Sequence, residues 1–483
     1  MWRRISYFFV LALLASAATA ADSVKTLRAD LDKIFSDKAF AGAKWSVEVY
    51  SLNRSEKLYE RDPAQLCIPA SANKIITAAV ALLRLGPDYQ FKTRVLADGN
   101  IKDGVLEGNL VIAGSGDPSN SPRLQAGDPL RTFKDWAEKL KERNIKAISG
   151  DIVGDGGAFE ENSYGQGWEW NDLTQAYAAP VSALQFNENL VSFRIMPGLE
   201  KSSLPLIAAL PLPDYLSFEN RIVTEAENSS ANIRIERGAS SDQVVLRGSI
   251  PLKSPGIIRD VPVRFPIRYY LTALSRTLSE QGIDVSKTGI RETRTTPSSS
   301  LLWTHLSPSL SEIIKPLLKE SLNLWAETLE RVLGVELRSE GAFSKGREVV
   351  EETLSGMGIE KGSYNYADAS GLSRLNLVSA DTLVRILKSM HERSCFSIFY
   401  DALPVAGFDG TLANRMKGTA AENNAHAKTG TMSNVSAISG YVRTKSGELL
   451  AFSMIANNYL FSKTRAESAE DAAIARLANF SRK

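Results

Sequence analysis

The hydrophobic pattern of this 483-residue chain changes period twice, and that limits what it can fold into. Near the N-terminus, Leu27, Leu31 and Ile34 recur at helical spacing between Ala21 and about Phe35, and Lys44 to Tyr50 alternates as a strand. Pro69 and Ser71 open an apolar helix that stops at Gly86-Pro87. Short strand-like runs then recur between turn signals at Phe91–Ala97, Asn109–Ala113, Lys146–Val153, Leu190–Ile195, Asn232–Arg237 and Val244–Ser249. One amphipathic helix, about Leu130 to Arg143, sits among them. This stretch reads as a mostly β insertion with its own sub-structure, ending near Ser298-Ser299-Ser300. Helical spacing returns at Leu310: Ser311–Leu333 reads as one apolar-striped segment, followed by helices near Gly346–Met357 and Ser379–His391. Strands Val435–Thr444 and Glu448–Asn457, joined by Lys445-Ser446-Gly447, precede a last helix from about Ala466 to Phe480. The first and last helices are expected on one face of a sheet made by the terminal strands. Such a length exceeds one ordinary domain, and 43% hydrophobic with 23% charged residues suffices for large cores under a solvated surface.

The first residues read as a targeting segment. Arg3 and Arg4 precede an apolar run, Tyr7 to Ala15, and Ala18-Thr19-Ala20 has the A-x-A form of a cleavage site. The expectation is a signal peptide over 1–20 and a mature start at Ala21; the run is short for a membrane span, and an uncleaved anchor is the alternative. No later stretch is apolar enough to cross a bilayer, which predicts a periplasmic or otherwise extracytoplasmic protein with at most peripheral membrane contact. Formal net charge is +2, and losing Arg3 and Arg4 with the leader would balance it. Neither a global positive field nor a basic stripe is present to attract nucleic acid. Cys67 and Cys395 stand in no metal-ligand spacing. They read as buried free thiols, with a bridge permitted by an oxidising compartment. His305, His391 and His426 are scattered, which argues against a zinc site and weighs against a Ser-His-Asp triad.

Three short motifs carry chemistry. Ser71-Ala72-Asn73-Lys74 is the only serine of the chain followed three residues on by lysine. At the opening of an apolar helix, i and i+3 share a face, and the serine oxygen lies near backbone N–H groups that favour developing negative charge. By itself the pattern also suits a helix cap with a solvated lysine. Ser321-Leu322-Asn323 is one of several Ser-x-Asn matches and falls on the later apolar segment; a hydroxyl there could relay a proton, and Asn323 could orient Lys74. Lys428-Thr429-Gly430-Thr431 opens a strand whose edge N–H groups, hydroxyls and ammonium suit an oxyanion and a carboxylate. Burial, and a second lysine nearby, would lower the pKa of Lys74 towards that of a usable base. Lys287-Thr288-Gly289, within the insertion and followed by Ile290 and Arg291, reads as a turn.

Ser-x-x-Lys, Ser-x-Asn and Lys-Thr-Gly, in this order, form the set of penicillin-binding proteins and class A β-lactamases. With Gly114-Ser115-Gly116-Asp117-Pro118, Ala178–Leu184 followed by Asn187-Glu188-Asn189, Asp368–Arg374 and Gly407–Leu412, the chain resembles the D-Ala-D-Ala carboxypeptidases of the penicillin-binding protein 4 type, with large inserted domains. That resemblance implies an α/β (α+β) fold: a serine β-lactamase/transpeptidase-like catalytic domain over 21–90 and 295–483, with 91–294 as a mostly β insert of two nested subdomains. It implies acyl transfer, as a carboxypeptidase, an endopeptidase or both, on peptidoglycan pentapeptides or cross-linked peptides, with β-lactams as covalent inhibitors and without a metal or organic cofactor. Ser71 would be the nucleophile and Lys74 its base; backbone N–H groups of Ser71 and Thr431 would hold the oxyanion. Ser321 would protonate the leaving amine, and Lys428, Thr429 and Thr431 would bind the terminal carboxylate. Arg374 would pair with a diaminopimelate carboxylate or form a structural salt bridge. The apolar Leu322 departs from the aspartate common at the middle of the second motif. A β-lactamase-like hydrolase, an esterase and a non-catalytic peptidoglycan-binding protein are the competing readings.

Overall fold

A computed structural model describes residues 23–238, 243–295 and 299–482. The leader expected at 1–20 and Ser298 lie outside them. The two chain ends build one five-stranded antiparallel sheet in the order His426–Met432, Val435–Arg443, Leu449–Asn457, Lys44–Ser51, Glu56–Arg61. Its central strands are buried on both faces, and strict alternation sorts their side chains. Ile438, Val442, Leu450, Phe452 and Met454 pack against helices Val24–Phe35 and Lys463–Ala478, as expected for the first and last helices. Ala437, Tyr441, Leu449, Ala451 and Ile455 face the opposite way, into the all-helical core around helices Lys74–Arg84 and Ala380–His391.

The segment 311–333 is not continuous. Helix Leu310–Lys319 opens on a capping box of Ser309 and Glu312, and a second helix runs Asn323–Arg338. Between them Ser321 is left-handed (φ 63°), and the Leu322 N–H donates to the Leu317 carbonyl at 3.0 Å. That six-to-one bond around a left-handed residue is a Schellman stop. It was invisible to hydrophobic spacing because apolar residues continue through the break. Sequence spacing also overlooks helices Phe396–Ala402 and Pro266–Glu280, although Pro266 stands at the first turn of the latter, a position proline favours.

The insert begins at strand Lys92–Lys102. Its main sheet has six strands, including the parallel pairs Val105–Ala113 with Ile152–Asp155 and Ile152–Asp155 with Ile290–Thr293, and helices Arg131–Glu142 and Pro266–Glu280 share its core. The division expected at 294/295 cuts through this sheet, because Ser300–Leu306 pairs antiparallel with Lys92–Lys102. Two further three-stranded sheets are built from strands between Leu190 and Pro262, and their apolar side chains join the same core. Cys67 and Cys395 are both buried free thiols. Among the described residues, no helix is long and apolar enough to cross a membrane.

Candidate active site

Ser71 lies in the 3-10 turn Ala70–Asn73, which runs directly into the buried helix Lys74–Arg84. Three residues per turn superimpose i and i+3 more closely than an α-helix does. The result is a Lys74 Nζ 2.9 Å from Ser71 Oγ. Ala70 is held left-handed (φ 45°), and Gly371 fits against it: a Cβ on Gly371 would stand 1.9 Å from the Ala70 carbonyl oxygen.

Lys74 is fully buried, yet each of its protons has a partner: Ser71 Oγ, Asn323 Oδ1 at 2.6 Å and the Ser370 carbonyl at 2.7 Å. Burial lowers its pKa to about 7, against the opposing pull of the Asp368 and Glu327 carboxyls. Those two groups are part of the scaffold. Glu327, one helical turn beyond Asn323, accepts the Ser370 N–H at 2.8 Å. Asp368 accepts from the Gly371 and Ser373 N–H groups, from Asn376 and from the Trp168 indole. The loop that presents the Ser370 carbonyl to Lys74 is thereby held from several sides. Burial raises Glu327 to about 8. Lys428 is also buried, and burial followed by the charge of Lys74 holds it well below its ordinary value. Of the two lysines Lys428 is thus the one shifted by its neighbour as well as by burial; the lowering of Lys74 comes from burial.

The third motif lies on the sheet's edge strand, His426–Met432. Gly430 lets that strand touch the turn that carries Ser71. A Cβ there would meet the Pro69 carbonyl oxygen at 2.3 Å and the backbone nitrogens of Ala72 and Ser71 at 2.8 and 3.0 Å. Gly430→Ala is therefore expected to push the strand off the turn and slow acylation by about 10²-fold, the scale of an ångström misplacement; stopped-flow labelling with a chromogenic β-lactam, beside a thermal melt, measures it. Lys428 donates to the Thr429 carbonyl at 2.8 Å, and Thr429 Oγ1 to Thr411 Oγ1 at 2.7 Å. Thr411 belongs to the Gly407–Leu412 segment, whose Asp409 pairs with Lys319 at 2.7 Å, at the end of the helix before Ser321. Lys287-Thr288-Gly289 is a turn closed by the Thr288 N–H on the Val285 carbonyl.

Ser71, Ser321, Asn323, Arg374 and Thr431 line a single cleft of about 380 Å³; Lys74 and Lys428 lie buried behind it. The insert supplies another wall with Glu169, Asp172 and Tyr177. The Tyr177 carbonyl accepts the Asn323 Nδ2–H at 2.9 Å, which turns the amide oxygen of Asn323 towards Lys74. Arg374 is paired with Glu169 at 3.0 Å and donates to the Ser433 carbonyl, so it is both a salt-bridge residue and part of the cleft. Sequence reasoning missed Trp168, Glu169, Asp172, Tyr177 and Glu327. Only Glu327 had a local signal, its i+4 spacing from Asn323.

This assembly sits in a chain whose residues 27–480 match the model of the D-Ala-D-Ala carboxypeptidase 3 (S13) family. The chain belongs to that family. It is 34% identical to a D-alanyl-D-alanine carboxypeptidase of Actinomadura sp. (strain R39), over 97% of this chain and 88% of the relative. Its fold is similar to the crystal structure of penicillin binding protein 4 from Haemophilus influenzae, with a TM-score of 0.80 and 25% identity over 92% of this chain and 97% of that one. The same Haemophilus protein complexed with a β-lactam gives a TM-score of 0.75 at 24% identity, with the same coverage. The expected fold class holds: an α/β penicillin-binding fold, and a serine-type hydrolase of the D-Ala-D-Ala carboxypeptidase class.

Proposed function

We propose that Ser71 attacks the carbonyl of a D-alanine in peptidoglycan stem peptides and is the residue acylated by β-lactams. The observation that carries this reading is the buried Lys74 Nζ, 2.9 Å from Ser71 Oγ and held near neutrality. A neutral Lys74 takes the Ser71 proton as the Oγ–C bond forms. Backbone N–H groups of Ser71 and Thr431 receive the oxyanion. The scissile C–N bond breaks, and the proton passes by Ser321, with Asn323 orienting Lys74, to the leaving amine. Water then releases the acyl group. Lys428, Thr429, Gly430 and Thr431 hold the terminal carboxylate. Arg374 takes a free carboxylate of the substrate side chain, exchanging it for Glu169. A carboxypeptidase and an endopeptidase attack the same carbonyl and differ in the amine that leaves. The A-x-A leader supports export to the periplasm or extracytoplasmic space, and the β-lactam complex of the Haemophilus protein supports inhibition by the same chemistry. The contacts above support a catalytic domain over 21–90 and from about 307 to 483, around an insert that ends after Leu306.

Incubation of the protein with an acylated D-Ala-D-Ala peptide is expected to release free D-alanine, and pre-treatment with benzylpenicillin to stop it. Rapid turnover of the penicillin itself would favour a β-lactamase. Cell-wall binding without release of D-alanine would favour a non-catalytic protein.

A further inference from the structure

The 3-10 turn Trp170–Thr174 has two faces. Glu169 and Asp172, three apart, line the catalytic cleft. Trp170 and Leu173, also three apart, line a second cavity of about 320 Å³ on the other side, which Tyr164, Asn171, Thr174 and Arg237 complete. The Trp170 side chain is 64% exposed. A large indole left in water at the mouth of a cavity marks a contact surface. Arg237 is committed to the Leu173 and Pro262 carbonyls, and Glu236, on the same wall, to Arg247 at 2.8 Å. The cavity thus combines aromatic side chains with an amide, a hydroxyl and the guanidinium donors of Arg237 and Arg264, groups that can stack on and donate to a hydroxyl- and acetamido-bearing ring. Arg264 also lines a third cavity of about 390 Å³.

We infer that the cavity lined by Trp170 and Tyr164 is a subsite for the N-acetylated glycan strand to which the stem peptide is attached. The inference rests on reading the cleft as a stem-peptide site. Residues of one short turn line both the cleft and the cavity, and about four extended residues of a stem peptide span about 14 Å. The insert then has a defined task, holding the polymer while the cleft takes its peptide.

The test is Trp170→Ala. Its kcat/KM on a short soluble D-Ala-D-Ala peptide should stay within about twofold of wild type, as should penicillin labelling, while D-alanine release from insoluble sacculi should fall by about fivefold or more. Saturation-transfer NMR with an N-acetylglucosamine tetramer should show binding to wild type and its loss in Trp170→Ala. Unchanged turnover of sacculi, equal losses on both substrates, or no tetramer binding by wild type would each overturn the inference. If wild type releases D-alanine from neither substrate, the reading of the cleft has failed, and the tetramer experiment still decides this one.

Discussion

Ser71→Ala is expected to abolish covalent labelling by a fluorescent penicillin and to reduce D-alanine release by about 10⁴–10⁶-fold, the range seen when an acylating serine is removed from an otherwise intact site. The substitution removes one oxygen at the mouth of the cleft. The 3-10 turn around it is held by the Ala72 N–H on the Pro69 carbonyl, and Lys74 keeps Asn323 and Ser370 as partners. A folded protein without adduct is therefore the expected outcome, read on a gel beside a thermal melt. Labelling that survives in Ser71→Ala would show that another group is acylated and would remove the proposed mechanism.

Lys74→Met tests the base with a side chain of similar length and no amine. General-base assistance contributes about 10²–10⁴-fold, and a drop of that size in the acylation rate is expected. The pH dependence adds a sharper readout. Only the neutral amine can accept the serine proton. With Lys74 lowered to about 7 by burial, the wild-type rate should rise with pH through an acid limb centred near 7 and level off above it. An unperturbed lysine, titrating near 10.4, would leave the rate still climbing at pH 9. The limb should vanish in Lys74→Met. A limb that persists there, at the same pH, would assign the titration to a different group, of which Glu327, raised to about 8, is the nearest candidate.

Much of the catalytic fold was legible because its signals are local. The alternation from Val435 through Asn457, with its Gly447 turn, specified a hairpin, and the structure pairs it throughout. The helix after Ser71 was legible from its apolar run. The break at Ser321 was not, since Leu317, Leu318, Leu322 and Leu324 carry hydrophobicity across a Schellman stop that depends on one residue adopting a positive φ. The sheet membership of Ser300–Leu306 was not legible for another reason: it looks like any short strand, and only its partner, some two hundred residues earlier, assigns it to the sheet of Lys92–Lys102.

Taken alone, the sequence determined which reactive groups exist, their order, and the helix or strand that each motif opens, because spacing and propensity act within a few residues. The tertiary structure decided whether those groups meet and in what state. Lys74 and Asn323 are 249 residues apart in the chain and 2.6 Å apart in space. The amide of Asn323 is oriented by a carbonyl of the insert, 146 residues away. The pKa of Lys74 comes from desolvation by segments that converge only on folding, and burial of that kind has no signature in the spacing of residues along a chain.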